Sequence, residues 1–96
     1  MYARLLTLQL GPGMRSTAEA MADESVARFE AQPGFVSVAF LADDEAGEYA
    51  SFSLWASKEA AETAGEALKA GLQQALGDMA KGPPMLRMFE VYKPAS

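Results

Sequence analysis

The sequence predicts an α+β fold of the ferredoxin-like kind, with the order β-α-β-β-α-β and a four-stranded antiparallel sheet that carries both helices on one face. Two observations lead to this prediction. Four segments alternate with the period of strands or are rich in strand-forming residues, and two longer segments repeat apolar residues with the period of helices. Turns rich in glycine and proline separate the segments. Ninety-six residues suffice for one modest core, so we expect a single domain over residues 1–96.

The first half of the pattern is a strand followed by a helix. Residues 2–10 alternate as a strand does, and the Gly-Pro-Gly turn at 11–13 ends it. Apolar residues at helical spacing over 18–29 predict the first helix. Ser16 and Glu19 have the spacing of a capping box at its start, and a start one turn earlier is the alternative.

A hairpin of two strands comes next. The Gln-Pro-Gly sequence at 32–34 stops the helix, since proline disfavours the helical conformation of the residue before it. Residues 35–42 are rich in valine and phenylalanine, and residues 48–55 alternate. The acidic turn at 43–47 joins them, so we expect an antiparallel hairpin.

The second half ends with a helix and a strand. Ser57 is the predicted cap of a helix that starts at Lys58, and we expect a break or a change of axis near Gly71. The Gly-Pro-Pro sequence at 82–84 prevents this helix from continuing further. Residues 85–93 form the predicted last strand, which Pro94 ends.

Composition excludes several classes of function. The net charge is −5 without a basic block, which argues against nucleic acid and anionic membranes as partners. The chain has no cysteine and no histidine, so it has no thiolate ligand and no imidazole to bind a metal or the axial position of a haem, and we expect no metal and no cofactor. The N-terminal segment lacks the apolar run of a secretory signal, so we expect a cytoplasmic protein.

The strands are apolar on both faces, although the helices can cover only one face of the sheet. A sheet with one wet face alternates cleanly between apolar and polar residues, and this one does not. Another surface must therefore pack against the second face, and the simplest candidate is another copy of the chain. We expect a homodimer whose interface includes Leu5, Thr7, Phe52 and Leu54.

Polar residues on the third strand point to a small-molecule site. Tyr49, Ser51, Ser53 and Trp55 alternate, so they share one face. Two serine hydroxyls on a face that packs against the core need hydrogen-bond partners or water. A solvent-filled cavity can supply both. Trp55 is either part of the lining of that cavity or a plain core aromatic, and the residues alone leave both readings open.

Two arginines could also contribute to such a site. Arg4 and Arg87 lie on the first and last strands, which this topology makes neighbours. Either side chain could hold a phenolate or a carboxylate if it enters the cavity. The more ordinary alternatives are an extended side chain at a strand end and a pair across the dimer.

The chain resembles the antibiotic biosynthesis monooxygenase family of dimeric α+β barrels. The residues that carry the resemblance are the Pro-Gly-Phe at 33–35 that opens the second strand, and Trp55 at the close of the third, just ahead of a Ser-x-Glu-Ala helix start at 57–60. The Gly-Pro-Pro turn at 82–84 is similar to that of polyketide-oxidising members. The resemblance covers residues 5–91, and it implies a homodimer with a ligand cavity between sheet and helices in each subunit.

The resemblance also implies site residues. In active members the tryptophan matching Trp55 lines the cavity, and an asparagine four residues before it or on the first strand assists. Here those positions hold Ser51 and Leu6, and the chain contains no asparagine. The first helix would place Met21 and Phe29 over Trp55. We therefore expect the binding residues to be Trp55, Ser51, Ser53, Tyr49, Leu6, Met21 and Phe29, with Trp55 as the best catalytic candidate.

Two functions follow from the resemblance. The first is a cofactor-independent monooxygenase that oxidises a phenolic or quinol-type aromatic with dioxygen. The second is a non-catalytic dimeric barrel that binds a hydrophobic metabolite or serves as an assembly module. The haem-degrading branch of the family needs a histidine ligand that this chain lacks.

Overall fold

The computed structural model describes residues 1–93 and confirms the predicted fold class and element order. The elements are β1 (Tyr2–Gln9), α1 (Arg15–Glu30), β2 (Phe35–Asp43), β3 (Glu48–Trp55), α2 (Lys58–Leu76) and β4 (Met85–Glu90). The strands form one antiparallel sheet in the order β2-β3-β1-β4. Both helices pack on the same face of it.

The register of β1 between β3 and β4 decides which side chains meet the helices. Leu6 lies opposite Ser51 on one side and Leu86 on the other, and all three face the helices. Successive side chains of a strand point to opposite faces. The next residue, Leu5, therefore faces away from the helices, as do its partners Phe52 and Arg87.

The two helix starts differ in how they are capped. The prediction for α2 is confirmed, because the Ser57 hydroxyl accepts a hydrogen bond of 3.1 Å from the backbone N–H of Ala60. The capping box predicted for α1 was wrong. That helix begins at Arg15 without a side-chain cap, and the Glu19 carboxylate instead accepts from the Arg15 Nε at 2.9 Å. An ion pair one turn apart has taken the carboxylate that a capping box requires.

The predicted break near Gly71 was also wrong, since α2 is continuous from Lys58 to Leu76. Gly71 lies against the guanidinium of Arg28 on α1, where a Cβ atom would come within 3.1 Å of Nε. Glycine lowers helix propensity by about 1 kcal/mol relative to alanine. Tertiary packing overrides that preference here, because the missing side chain leaves room for an arginine from the facing helix.

The last strand is shorter than predicted. β4 ends at Glu90, which pairs with Tyr2 at the start of β1, and one further backbone bond joins the Val91 N–H to the Met1 carbonyl. Beyond that point β1 offers no partner, so Tyr92 and Lys93 do not extend the strand. The expectation that Pro94 ends the strand lies outside the described residues.

The core between sheet and helices consists of two clusters. One is centred on Trp55 with Phe29, and the other on Leu10 with Tyr49 and Leu76. Within residues 1–93, neither helix combines the length and the apolar character that crossing a membrane requires. The two clusters lie at the two ends of the sheet, and the space between them is the candidate site.

We expect Gly47→Ala to destabilise the fold far more than Gly13→Ala. Both glycines have positive φ, +69° and +83°, which costs about 1–2 kcal/mol for a residue with a Cβ. A Cβ on Gly47 would in addition overlap the backbone of Gly11, whose N–H donates to the Gly47 carbonyl at 3.1 Å, whereas Gly13 has open space around it. Urea unfolding should show a loss above about 3 kcal/mol for Gly47→Ala. Equal losses for the two variants would contradict this packing.

Candidate functional site

A cavity of about 1260 Å³ lies between the sheet and the two helices. Pockets for small molecules usually have about 300–1,000 Å³. Its walls are mostly apolar, and the larger apolar side chains among them include Leu6, Leu8, Met21, Phe29, Phe40, Leu68, Leu72, Leu86 and Met88. The cavity is therefore large enough for a polycyclic molecule and has the apolar character that such a molecule needs.

The inner face of β3 carries the four residues that the sequence singled out. Tyr49, Ser51, Ser53 and Trp55 are all buried and all turn toward the helices. They divide into pairs with different surroundings. Tyr49 and Ser51 line the cavity, whereas Ser53 and Trp55 lie beside it in the core.

Trp55 is completely enclosed, with 0% of its surface exposed. Its indole packs against Phe35 and Phe29, with ring centroids 5.6 and 6.3 Å away, and its Nε1–H donates to the Ser53 hydroxyl at 3.0 Å. The indole and Ser53 satisfy each other. Phe29, which lines the cavity, lies between the indole and that space.

Ser51 has different surroundings from Ser53. Its hydroxyl oxygen is buried and has no hydrogen-bond partner among the described residues. Leu6, directly across the strand pair, and Met21 and Phe29 on α1 line the same cavity. The structure thus brings together Leu6, Met21, Phe29, Tyr49 and Ser51; a ligand-binding role for any of them stays a prediction.

Tyr49 is unsuited to be a base. Its hydroxyl donates a hydrogen bond of 3.1 Å to the Asp44 carboxylate. Burial raises the pKa of Tyr49 above its ordinary value, and the hydrogen bond to Asp44 raises the pKa further. The phenol therefore stays neutral at physiological pH.

Arg4 is the residue that the sequence predictions left out of the site. Its side chain is only 7% exposed, and it is the one charged residue that is buried within residues 1–93. It lines the cavity together with Leu6 and Leu8 of the same strand face. Its Nε is buried without a hydrogen-bond partner in that part of the chain. Burial lowers the pKa of Arg4, although an arginine stays charged in proteins.

One signal in the sequence did point to Arg4. It shares the period of Leu6, Leu8 and Leu10, so alternation alone places it on the inner face. The sequence did not show that the fold leaves space for the Arg4 side chain beside α2. The guanidinium lies against Gly65 of α2, where a Cβ would come within 3.1 Å of Nη2. An arginine near a strand end could instead extend into solvent.

The outer face of the sheet carries the four predicted interface residues, Leu5, Thr7, Phe52 and Leu54, together with further apolar side chains. Phe52, Phe89 and Met85 are exposed there, Met85 to 62%. Arg87 also lies on this face, with its guanidinium 4.7 Å from the centre of the Phe89 ring. It is therefore on the opposite side of the sheet from the cavity.

The residues present do not fit a haem or a metal ion. The whole chain lacks histidine and cysteine, and the cavity's one phenol, Tyr49, already donates to Asp44. Carboxylates cluster in the turn between β2 and β3, but Asp44 is engaged by Arg15 and by Tyr49, and Glu48 accepts from Gln9. No group of metal-binding side chains occurs within residues 1–93.

The family model described as antibiotic biosynthesis monooxygenase matches residues 1–71 of the chain. This part contains β1, α1, the β2–β3 hairpin and most of α2, and with them about three quarters of the residues that line the cavity. No curated protein matches the chain at a significant level.

Solved structures of the same fold include the following three. A protein of Caulobacter crescentus described as an antibiotic biosynthesis monooxygenase is 22% identical, with a TM-score of 0.75 over 96% of this chain and 90% of that one. The ActVA-Orf6 monooxygenase of Streptomyces coelicolor, solved with nanaomycin D, is 18% identical, with a TM-score of 0.74 over 99% and 90%. A variant of MhuD with two manganese protoporphyrin IX molecules per active site is 19% identical, with a TM-score of 0.74 over 100% and 99%.

We expect the burial of Tyr49 and its hydrogen bond to Asp44 to make the fold sensitive to alkali. The folded-state pKa of Tyr49 is raised, so the stabilisation is present below the unfolded-state value, near pH 10, and is lost as the pH rises through the folded-state value. Tyr49→Phe should therefore lose less stability than the wild type between about pH 8 and pH 11. Urea unfolding over this range measures the difference. Tyr92→Phe, at an exposed tyrosine, is the control. A parallel decline for all three proteins would contradict the assignment.

Proposed function

Because the chain belongs to the antibiotic biosynthesis monooxygenase family, we propose that it is a cofactor-independent monooxygenase for a phenolic or quinol-type aromatic. The observation that carries the proposal is the apolar cavity between sheet and helices, with the unpartnered hydroxyl of Ser51 on its wall. A flat aromatic ligand fits this space, and the hydroxyl can bind one of its oxygens.

The substrate itself can supply the redox chemistry. An ionised phenol or enol gives one electron to dioxygen, which leaves a carbon radical and superoxide. Their combination forms a carbon–oxygen bond, and the peroxide takes up a proton. Loss of water together with the ring hydrogen then leaves a carbonyl. For a methylene carbon of an anthrone, two hydrogens are replaced by one oxygen, and the second oxygen atom leaves as water.

The protein's part in this reaction is to bind and orient the anion and to keep water away from it. Leu6, Met21 and Phe29 would provide the apolar walls, and Ser51 would donate a hydrogen bond to a substrate oxygen. Tyr49 would remain a neutral wall residue, with its hydroxyl donating a hydrogen bond to the Asp44 carboxylate. Trp55 supports Phe29 from behind, so its role is to hold the wall in place.

A second candidate function is binding without catalysis. It is favoured by the serine at position 51, where the resemblance implies an asparagine in active members, and by the raised pKa of Tyr49, which leaves the cavity without a phenolate base. Such a barrel would take up a hydrophobic metabolite and release it unchanged. The same cavity serves both functions, so only turnover separates them.

We further propose that two copies pack through the outer faces of their sheets, in the cytoplasm. The support is the row of exposed apolar residues on that face, with Phe52 at its centre. Stable interfaces bury roughly 800 Å² per partner, and a four-stranded sheet offers a surface of this order. The helices leave this face uncovered.

We expect the wild-type protein to consume dioxygen when it is given an anthrone or a dihydroxynaphthalene. Leu6→Trp, which fills the cavity beside Ser51, should lower the rate at least about 10-fold by excluding the substrate. Thr63→Trp, on the exposed side of α2, is the matched control and should keep the wild-type rate. An oxygen electrode measures uptake, corrected for autoxidation. Uptake equal in the two variants would contradict catalysis in the cavity, and no uptake with saturable binding would favour the binder.

We expect Phe52→Asp to convert a dimer to monomers, because it would place an unpaired charge in an apolar interface. Ala67→Asp, on the exposed face of α2, should leave the dimer intact. Sedimentation velocity at micromolar concentration distinguishes the two forms. A wild-type protein that sediments at its chain mass of 10.2 kDa would rule out the proposed interface.

A further inference from the structure

We propose that Arg4 and Ser51 form a binding site for the anionic oxygen of the ligand, so that the cavity selects planar aromatic molecules that carry a single negative charge. This inference rests on the proposed function, since it assigns the chemical class of the molecule that the cavity binds. It assigns a role to the charge of Arg4, the one buried charge within residues 1–93, for which the rest of the structure shows no role.

The first support is the state of the two side chains. Arg4 and Ser51 are 7% and 8% exposed, and both line the cavity. The Arg4 Nε and the Ser51 Oγ are the two buried side-chain atoms without a hydrogen-bond partner within residues 1–93. Buried polar atoms in proteins are nearly always paired, so two unpaired atoms in one cavity indicate a missing partner. Both can donate a hydrogen bond, and the partner that suits two donors is an acceptor.

The second support is their relative position. Arg4 lies opposite Ser53 on the neighbouring strand, and Ser51 lies opposite Leu6, so Arg4 and Ser51 are diagonal neighbours on one face. Diagonal positions are about 7–8 Å apart at the backbone, a distance that a long side chain spans. A single oxygen between them can accept from the guanidinium and the hydroxyl together.

The third support is that no carboxylate within residues 1–93 forms an ion pair with Arg4. The carboxylates around the cavity belong to exposed residues, among them Glu62 and Glu66 on α2, and none of them pairs with Arg4. The other arginine beside α2, Arg28, pairs with Glu24 at 3.7 Å. A buried charge without a counterion is unfavourable for folding, which suits a group that binds an anion from outside.

Gly65 leaves room for the guanidinium beside α2. A Cβ at this position would lie 3.1 Å from Nη2 and 3.4 Å from Cζ and Nε of Arg4, so a side chain here would crowd the group that the anion needs. Around it the cavity is apolar, with Leu6, Leu86 and Met88 nearest along the sheet. One charged oxygen on a flat apolar body therefore matches the site. A phenolate, an enolate and an aromatic carboxylate share this chemistry.

The test compares two naphthoquinones of nearly the same shape. Lawsone has an acidic hydroxyl that is ionised at neutral pH, and its methyl ether is neutral. Calorimetry should show that the wild type binds lawsone more tightly by roughly 10- to 100-fold, the factor expected of hydrogen bonds to a charged group. Arg4→Met should lose this preference and keep its affinity for the ether. Arg87→Met, the same substitution on the outer face, should behave as wild type.

A second measurement separates a binding role from a structural one. If Arg4 serves the ligand, Arg4→Met removes an unpaired buried charge, and the melting temperature without ligand should rise by several degrees, on the order of 4–8 °C. A fall in melting temperature or a failure to fold would show that Arg4 is structural and would overturn the anion site.

The binding results also distinguish the two proposals. Equal affinity of the wild type for lawsone and its ether would overturn the anion site and leave the aromatic cavity standing. No saturable binding of either molecule would count against the cavity function itself, and against the anion site that depends on it. Aromatic sulfonates bound as tightly as lawsone would show that the site accepts any anionic oxygen, which supports the site and widens the ligand class.

Discussion

The charge of Arg4 is the constraint from which the organisation of the inner face follows. A guanidinium can be buried between sheet and helix only where the helix has no side chain to displace, and Gly65 provides that place. The group then has apolar neighbours on the sheet and no carboxylate within reach among the described residues. Hydrogen bonds to a charge are stronger in such surroundings than in water. The proposed anionic ligand follows from this arrangement together with the unpaired hydroxyl of Ser51.

The rest of the core keeps the cavity open. Two clusters, one around Trp55 and one around Leu10, close the two ends of the space between sheet and helices. Trp55 and Ser53 satisfy each other's hydrogen-bonding groups, and Tyr49 is held by Asp44. These pairs use up every other polar group of the inner β3 face. Ser51 is left as the one hydroxyl of that strand face that a ligand can engage.

Local patterns were enough to predict the element order, the antiparallel hairpin, the Ser57 cap and the inner face of β3, because each depends on alternation or on residues close in sequence. The predictions were wrong where the local structure depends on a residue from another element or another turn of the chain. Gly71 does not break α2, since Arg28 from the other helix packs against it. Glu19 pairs with Arg15 in place of capping, and β4 stops where β1 has no further residue to pair with. Arg4 was left undecided because its burial depends on Gly65, about sixty positions away.

The most direct measurement of the central claim is the NMR signal of the Arg4 side-chain Nε–H, identified by its loss in Arg4→Lys. A buried guanidinium that binds an anion should show slow exchange of this proton with solvent in the free protein and a large shift when lawsone is added. The methyl ether of lawsone should leave the signal nearly in place, and the signals of the exposed Arg15 and Arg87 should not respond to either molecule. An Arg4 proton that exchanges as fast as those of Arg15 and Arg87, and whose signal ignores lawsone at saturation, would contradict the account.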